Sequence, residues 1–130
     1  MKTEHPIPEE SPFKGRTGLT RVWNALFYSL AGLSAAYRHE DAFRQEVLLA
    51  VILIPLSFFL PVNGIGRALM IASVLLTLIV ELLNSAVEAT LDRIPLDNHR
   101  LAKRAKDIGS AAALISLINV VIVWSLVLFG

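Results

Sequence analysis

The sequence predicts an all-α membrane protein, in which an N-terminal amphipathic surface helix is followed by three transmembrane helices. Hydrophobic residues make up 55% of the 130 residues, and the mean hydropathy is +0.61, which exceeds what a small soluble domain needs. Three long apolar segments alternate with short polar ones. The chain has no cysteine and a net charge of +1, so disulfides, thiolate metal sites and a nucleic-acid-binding basic excess are excluded.

The first 19 residues have the composition of a tail. Prolines stand at positions 6, 8 and 12, and glycines at positions 15 and 18, among charged residues. Such a segment has too little apolar surface to form a packed structure. We therefore expect a flexible N-terminal tail over residues 1–19 and one membrane domain over residues 20–130.

The segment from about 20 to 38 has the pattern of the surface helix. At about 100° per residue its large apolar side chains fall within an arc of roughly 140°, while Arg21, Asn24 and Tyr28 face the other way. This separation is typical of a helix that lies in the membrane interface.

Three predicted spans follow, at about 42–62, 67–91 and 98–129. Each is apolar over a length that suits a bilayer crossing. The sequence NGIG at 63–66 predicts a turn between the first two spans. The run of small residues from Gly109 to Ala113 would let the third span approach another helix closely.

The distribution of basic residues predicts the orientation. They cluster before the first span and between the second and third spans, whereas Arg67 is the one basic residue between the first two spans. The positive-inside rule therefore places the N-terminus and the 91–107 loop in the cytoplasm, with the C-terminus on the opposite side.

Polar side chains form one stripe on the second span. Asn84, Glu88 and Asp92 all fall within about 60° of Glu81 on a helix, at the predicted cytoplasmic end. A carboxylate inside a span is costly, so Glu81 is a functional candidate by default.

A second polar stripe begins the third span, provided that Asp97 or Asn98 caps its helix. Basic and acidic side chains would then meet the carboxylates of the second span at the membrane surface. The residues on this second stripe are His99, Lys103, Lys106, Asp107 and Ser110.

These two stripes hold the groups that phosphoryl transfer requires. Two carboxylates can bind Mg²⁺, basic side chains can offset phosphate charge, and a further carboxylate can act as general base. An amphipathic helix beside such a site favours a lipid acceptor. A proton- or cation-conducting oligomer and a membrane interaction protein are the alternatives from other classes. The chain has neither the P-loop nor the protein-kinase glycine-rich motif.

Three motifs give the sequence a family resemblance: AFRQE at 42–46, VELLNSAVEATLDR at 80–93 and RAKDIGSAA at 104–112. With them, residues 20–130 resemble the small integral-membrane diacylglycerol kinases of Gram-negative bacteria. The resemblance implies a homotrimer in the inner membrane with a periplasmic C-terminus and sites shared between subunits. It also implies transfer of the γ-phosphate of MgATP to sn-1,2-diacylglycerol, which gives phosphatidic acid and ADP. Undecaprenol kinase, a Gram-positive relative with a polyprenol acceptor, is the alternative within the enzyme class.

The resemblance also implies a role for each matching residue. Glu81 would be the catalytic base, with Asn84 important for activity, and Glu40 and Glu88 would hold the metal. Leu30 and Asn24 depart from the usual family residues, which bears on acceptor preference, and Asp92 is left without a role. The implied ATP contacts are Arg21, Tyr28, Glu40, Glu88, Asp97, Asn98, His99, Lys106 and Asp107. The implied lipid contacts are Arg21, Ala25, Ser29, Leu30, Ala42, Arg44, Gln45, Glu46, Glu81 and Ser110.

Overall fold

The computed structural model describes residues 18–95 and 99–130, and over these residues the chain is helical apart from its turns. The three helices after the first are each long and apolar enough to cross a membrane. An all-α fold with three candidate spans is therefore confirmed. The described residues up to Ala35 belong to one compact unit, and those from Ala36 onward belong to a second. The helices are α1 Gly18–His39, α2 Asp41–Phe59, α3 Gly64–Leu91 and α4 His99–Phe129.

A proline determines where α2 ends. The pattern of apolar residues predicts a span to about 62, but the helix ends at Phe59. Leu60 has extended backbone angles, φ −85° and ψ 148°, and Pro61 follows it. The ring of a proline clashes with a helical conformation of the preceding residue, so Leu60 leaves the helix although its side chain is apolar.

The turn between α2 and α3 is closed by two side chains. Asn63 is the N-cap of α3, and its Oδ1 accepts a hydrogen bond of 2.7 Å from the backbone N–H of Gly66. Arg67 donates from Nε to the carbonyl of Ser57 at 2.9 Å and from Nη2 to the carbonyl of Val62 at 3.3 Å. Its guanidinium also lies 5.5 Å from the ring centroid of Phe58. The basic residue of this turn thus satisfies carbonyls that the end of α2 leaves without helical partners.

We expect Arg67→Met to lower the free energy of unfolding by about 2 kcal/mol, because a charged donor to several backbone carbonyls is lost. Arg67→Lys should restore only part of this, since an ammonium cannot reproduce the planar fork of donors. Unfolding by SDS titration in mixed micelles measures both variants. Equal stability of Arg67→Met and the parent protein would contradict this role.

The apolar core lies in the halves of the helices nearest to this turn. Met70 and Val74 of α3 are fully buried and pack with Ala50 of α2 and with Val120 and Trp124 of α4. The indole N–H of Trp124 donates to the carbonyl of Met70 at 3.2 Å, so this buried polar atom has a partner. The polar side chains of these helices lie at the opposite end, where α2 begins and α3 ends.

The first helix carries large apolar side chains that are exposed within the single chain. Val22, Trp23 and Phe27 are examples, and the rings of Trp23 and Phe27 meet edge to face at 5.2 Å between centroids. An exposed apolar face of this kind suits a membrane interface. The surface position of α1 remains a prediction.

Candidate functional site

A cavity of about 580 Å³ is lined by side chains of α2, α3 and α4, together with the residue that precedes α2. It lies at the polar end of these helices, away from the apolar core. Several residues that the sequence predicts as site residues share it. Its predicted members are Glu40, Ala42, Gln45, Glu46, Glu81, Asn84, Glu88 and Ser110.

The spacing of α3 explains why three of these side chains share one wall. Buried residues of this helix recur every three or four positions, which keeps them on one face. The face begins with apolar Val74, passes through Thr77, and continues as Glu81, Asn84 and Glu88. The hydroxyl of Thr77 donates to the carbonyl of Val74 at 2.7 Å, so its polarity is satisfied within the helix. The carboxylates beyond it extend into the cavity wall.

Two carboxylates of the cavity are buried. Glu81 is 5% exposed and Glu46, on α2, is 8% exposed. Oε2 of Glu46 is buried and has no hydrogen-bond partner among the described residues. A buried carboxylate oxygen without a donor is costly in a structural role, and such groups occur where a ligand completes the site. Glu46 is therefore placed to meet a ligand that can donate a hydrogen bond, and Glu81 lines the same cavity.

Two further carboxylates, those of Glu40 and Glu88, are partly exposed and line the same cavity. Glu40 is the N-cap of α2, but its side chain makes no capping hydrogen bond, so its carboxylate remains available to the cavity. Within residues 18–95 and 99–130, no group of three or more histidine, cysteine or acidic residues is placed to hold a metal ion. A pair of carboxylates is nevertheless a usual protein contribution to Mg²⁺, whose other ligands are water and phosphate oxygens.

Two lysines of α4 are close in sequence to the cavity residue Ser110, and each forms an ion pair with an aspartate outside the cavity lining. Nζ of Lys106 is 2.9 Å from Oδ1 of Asp92, which is the C-cap of α3. Nζ of Lys103 is 2.8 Å from Oδ2 of Asp107, one helical turn further along α4. Asp92, which has no role from the sequence, is thus the partner of a predicted nucleotide-binding lysine. Both pairs are exposed to solvent, which screens them, so neither contributes much to stability.

Two predicted site residues of the second compact unit, Arg44 and His99, are not among the residues that line the cavity. Arg44 donates to the carbonyls of Tyr37 and Arg38 at 2.9 and 3.0 Å and pairs with Asp41, so it fixes the end of α1. His99 is the exposed first residue of α4. Asp97 and Asn98 lie outside the described residues. The predicted residues that belong to the first compact unit, on α1, are Arg21, Ala25, Tyr28, Ser29 and Leu30.

Comparison with known proteins places this site in a family. A family model for prokaryotic diacylglycerol kinase matches residues 27–128, which include every lining residue of the cavity. The chain belongs to the prokaryotic diacylglycerol kinase family. The diacylglycerol kinase of Pseudomonas aeruginosa is 59% identical over 120 residues, which cover 92% of this chain and 98% of that protein. Those of Haemophilus influenzae and Escherichia coli are 55% and 49% identical, over 87% and 88% of this chain and 96% and 93% of theirs.

The structure places four residues in the cavity lining that the family motifs did not predict. All are small or apolar, and helical spacing could have found them. Leu49 stands one turn beyond Gln45 and Glu46, while the other three continue the α4 face that Ser110 begins. The four are Leu49, Ala113, Leu114 and Leu117. They give the carboxylate cavity an apolar wall.

Proposed function

We propose that this chain is an ATP-dependent lipid kinase that transfers the γ-phosphate of ATP to the hydroxyl of sn-1,2-diacylglycerol, giving phosphatidic acid and ADP. The observation that carries the proposal is the buried carboxylate of Glu81 in a cavity that combines further carboxylates with an apolar wall. Phosphoryl transfer needs a group that accepts a proton and groups that bind the metal ion and the phosphates. A lipid acceptor needs an apolar surface beside them. The proposed kinase domain covers residues 20–130, and α1, which begins at Gly18, extends two residues into the segment predicted as a tail.

In the proposed reaction Glu81 is the general base. Its carboxylate accepts the proton of the primary hydroxyl as that oxygen attacks the γ-phosphorus. A bond forms between the lipid oxygen and the γ-phosphorus, and the bond from the γ-phosphorus to the bridging oxygen breaks, so that ADP leaves with the electron pair. Asn84, one turn from Glu81 on the same wall, contributes to the position of the reacting groups.

Mg²⁺ is the divalent ion that the family implies, and the donor set of the cavity fits it. Glu40 and Glu88 would hold the ion through carboxylate oxygens, which are the ligand type that Mg²⁺ prefers. When bound, Mg²⁺ neutralises negative charge on the phosphates of ATP. The two glutamates therefore keep the triphosphate next to a buried carboxylate that would otherwise repel it.

The remaining phosphate charge is assigned to Lys106, together with Arg21. The ammonium of Lys106 is near the C-terminal end of α3 through its pair with Asp92, and it has further hydrogens to donate to phosphate oxygens. The other nucleotide contacts in this proposal are Tyr28, Asp97, Asn98, His99 and Asp107.

We expect Lys106→Ala to lower kcat/KM for ATP by about tenfold to a hundredfold, because a hydrogen bond between charged groups is lost. Arg104→Ala is the matched control. It removes the same charge from the same helix, at a residue to which the proposal assigns no contact. Steady-state kinetics with ATP varied at saturating lipid separate the two variants. Equal losses in both, or a Lys106→Ala protein with the parent's kinetics, would contradict the assignment.

The polar residues at the start of α2 and Ser110 are proposed to bind the lipid headgroup. The apolar wall of the cavity is proposed to contact the acyl chains. Glu46, with an oxygen that lacks a partner, is the group best placed to accept a hydrogen bond from a lipid hydroxyl. The full set of proposed lipid contacts is Arg21, Ala25, Ser29, Leu30, Ala42, Arg44, Gln45, Glu46, Glu81 and Ser110.

The proposed assembly is a homotrimer in the bacterial inner membrane, with sites shared between subunits. Three helices provide few walls for two substrates, and many large apolar side chains of α2 to α4 are exposed in the single chain, where lipid or other subunits would cover them.

The N-terminus and the 91–107 loop are proposed to be cytoplasmic. Because the chain has no cysteine, Ile65→Cys and Arg93→Cys test this: an impermeant maleimide should label only the first from the periplasm.

The function is tested by incubating the purified protein with Mg²⁺, γ-labelled ATP and diacylglycerol in mixed micelles. Labelled phosphatidic acid is the expected product.

Liposomes that contain the protein but no ATP test the rival function, a cation-conducting oligomer. Beyond Thr77 the polar stripe of α3 continues only as Ser73, whose hydroxyl already donates to the carbonyl of Met70 at 2.7 Å, so we expect no protein-dependent flux. Flux without ATP, together with no labelled lipid, would overturn the proposal.

A further inference from the structure

Helix α4 has no side chain at the point where Asn84 of α3 meets it. A Cβ built on Gly109 would overlap Oδ1 of Asn84 and would lie 3.1 Å from its Cγ. Asn84 is 9% exposed and lines the cavity, and its Oδ1 has no hydrogen-bond partner among the described residues. The carboxamide of Asn84 therefore occupies the space that the Cβ of any other residue at position 109 would fill.

The backbone of Gly109 gives no other reason for a glycine. Its φ does not lie in the left-handed region, and it stands inside a long helix, where glycine is unfavourable relative to alanine. The three nearest atoms that the missing Cβ would meet all belong to the side chain of Asn84. The fit between these two residues is thus the local feature that requires glycine.

The overlap involves the end of a side chain and not the backbone of α3. The Cβ of Asn84 would be 3.9 Å from the added atom, which is an ordinary contact. An alanine at position 109 would therefore turn the carboxamide away before it separated the helices. Asn84 stands one helical turn from Glu81 on the same wall of the cavity, so its displacement would reach the surroundings of the proposed base.

We propose that Gly109 is a positioning residue, which holds the carboxamide of Asn84 at the cavity wall next to Glu81 by leaving space for it. The inference rests on the proposed lipid kinase function of this cavity. Gly109 touches no reacting atom and acts only through Asn84.

We expect Gly109→Ala to lower kcat by about a hundredfold, since small displacements of positioned groups have effects of this size. KM for ATP should stay within about twofold of the parent's, because the displaced carboxamide of Asn84 is not one of the proposed phosphate contacts. The SDS concentration at half unfolding should not fall, because alanine favours the helix that glycine disfavours.

Gly66→Ala is the matched control for a purely structural effect. A Cβ on Gly66 would lie 2.9 Å from Cγ1 of Val127, so this change also crowds α3 against α4, but at the opposite end from the cavity. It should lower stability and leave kcat of the folded fraction close to the parent value.

A double-mutant cycle with Asn84→Ala isolates the contact. The unfolding midpoints of the parent, both single variants and the double variant are measured in SDS. Gly109→Ala should raise the midpoint in the Asn84→Ala background, where no carboxamide is in the way, and should not raise it in the parent background.

The inference fails if Gly109→Ala retains kcat within about twofold, or if Gly66→Ala lowers kcat of its folded fraction equally. It also fails if Gly109→Ala shifts the midpoint equally in both backgrounds. A parent protein without diacylglycerol kinase activity would overturn the proposed function instead, and the unfolding cycle would still decide whether the two side chains are coupled.

Discussion

Glu81→Gln is expected to lower kcat for diacylglycerol phosphorylation by about a thousandfold, because the amide cannot accept the proton of the attacking hydroxyl. The side chain is buried and of the same size in both forms, so its packing against the cavity residues is retained. The stability of the variant should equal or exceed that of the parent, since a charge that is costly inside a span is removed. Initial rates with labelled ATP at saturating lipid measure the effect.

Glu46→Gln is the control for the loss of a buried carboxylate as such. It removes the same charge from another helix that lines the cavity, α2, where the proposal places lipid binding and not proton transfer. Its main effect should be on KM for diacylglycerol. Activity of more than a few per cent in Glu81→Gln would contradict the base assignment. ADP–ATP exchange without lipid would also contradict it, because it would indicate a covalent phosphoenzyme.

Glu88→Gln is expected to lower kcat/KM for MgATP by about a hundredfold and to raise the Mg²⁺ concentration that gives half-maximal rate. The variant leaves Glu40 as the one carboxylate of the proposed metal pair. Rates over a range of Mg²⁺ concentrations at fixed ATP measure this. Saturating Mg²⁺ should recover part of the activity, which distinguishes weakened binding of the ion from damage to the base.

Asp92→Asn is the control for the metal prediction. Asp92 stands one turn beyond Glu88 on α3, but it lies outside the cavity lining and is paired with Lys106. Its removal should therefore leave the Mg²⁺ dependence close to that of the parent. An unchanged Mg²⁺ dependence in Glu88→Gln, or equal shifts in both variants, would exclude Glu88 as a metal ligand.

The features that the sequence predicted are those that local periodicity determines. The alternation of three and four residues on α3 placed Glu81, Asn84 and Glu88 on one face, and the structure brings all three to one cavity. Pattern alone extended the first span to about 62, whereas the restriction that Pro61 imposes on Leu60 ends α2 earlier.

Contacts between helices could not be predicted in the same way. The pair of Lys106 and Asp92 joins two helices across the intervening loop, and the fit of Gly109 to Asn84 depends on how closely α4 approaches α3. Periodicity gives the face of a residue but neither the rotation nor the distance of the neighbouring helix. The sequence therefore indicated a run of small residues at 109–113 without indicating which one meets a site residue.

The central claim is that this cavity phosphorylates diacylglycerol, and the most direct test compares two lipid acceptors in one assay. The purified protein is given γ-labelled ATP and Mg²⁺ with either diacylglycerol or undecaprenol, in the same micelles, and kcat/KM is measured for each. We predict that diacylglycerol is preferred by at least about tenfold, with Glu81→Gln as the blank. Equal or greater use of undecaprenol would contradict the proposed acceptor, and no labelled lipid from either would contradict the kinase itself.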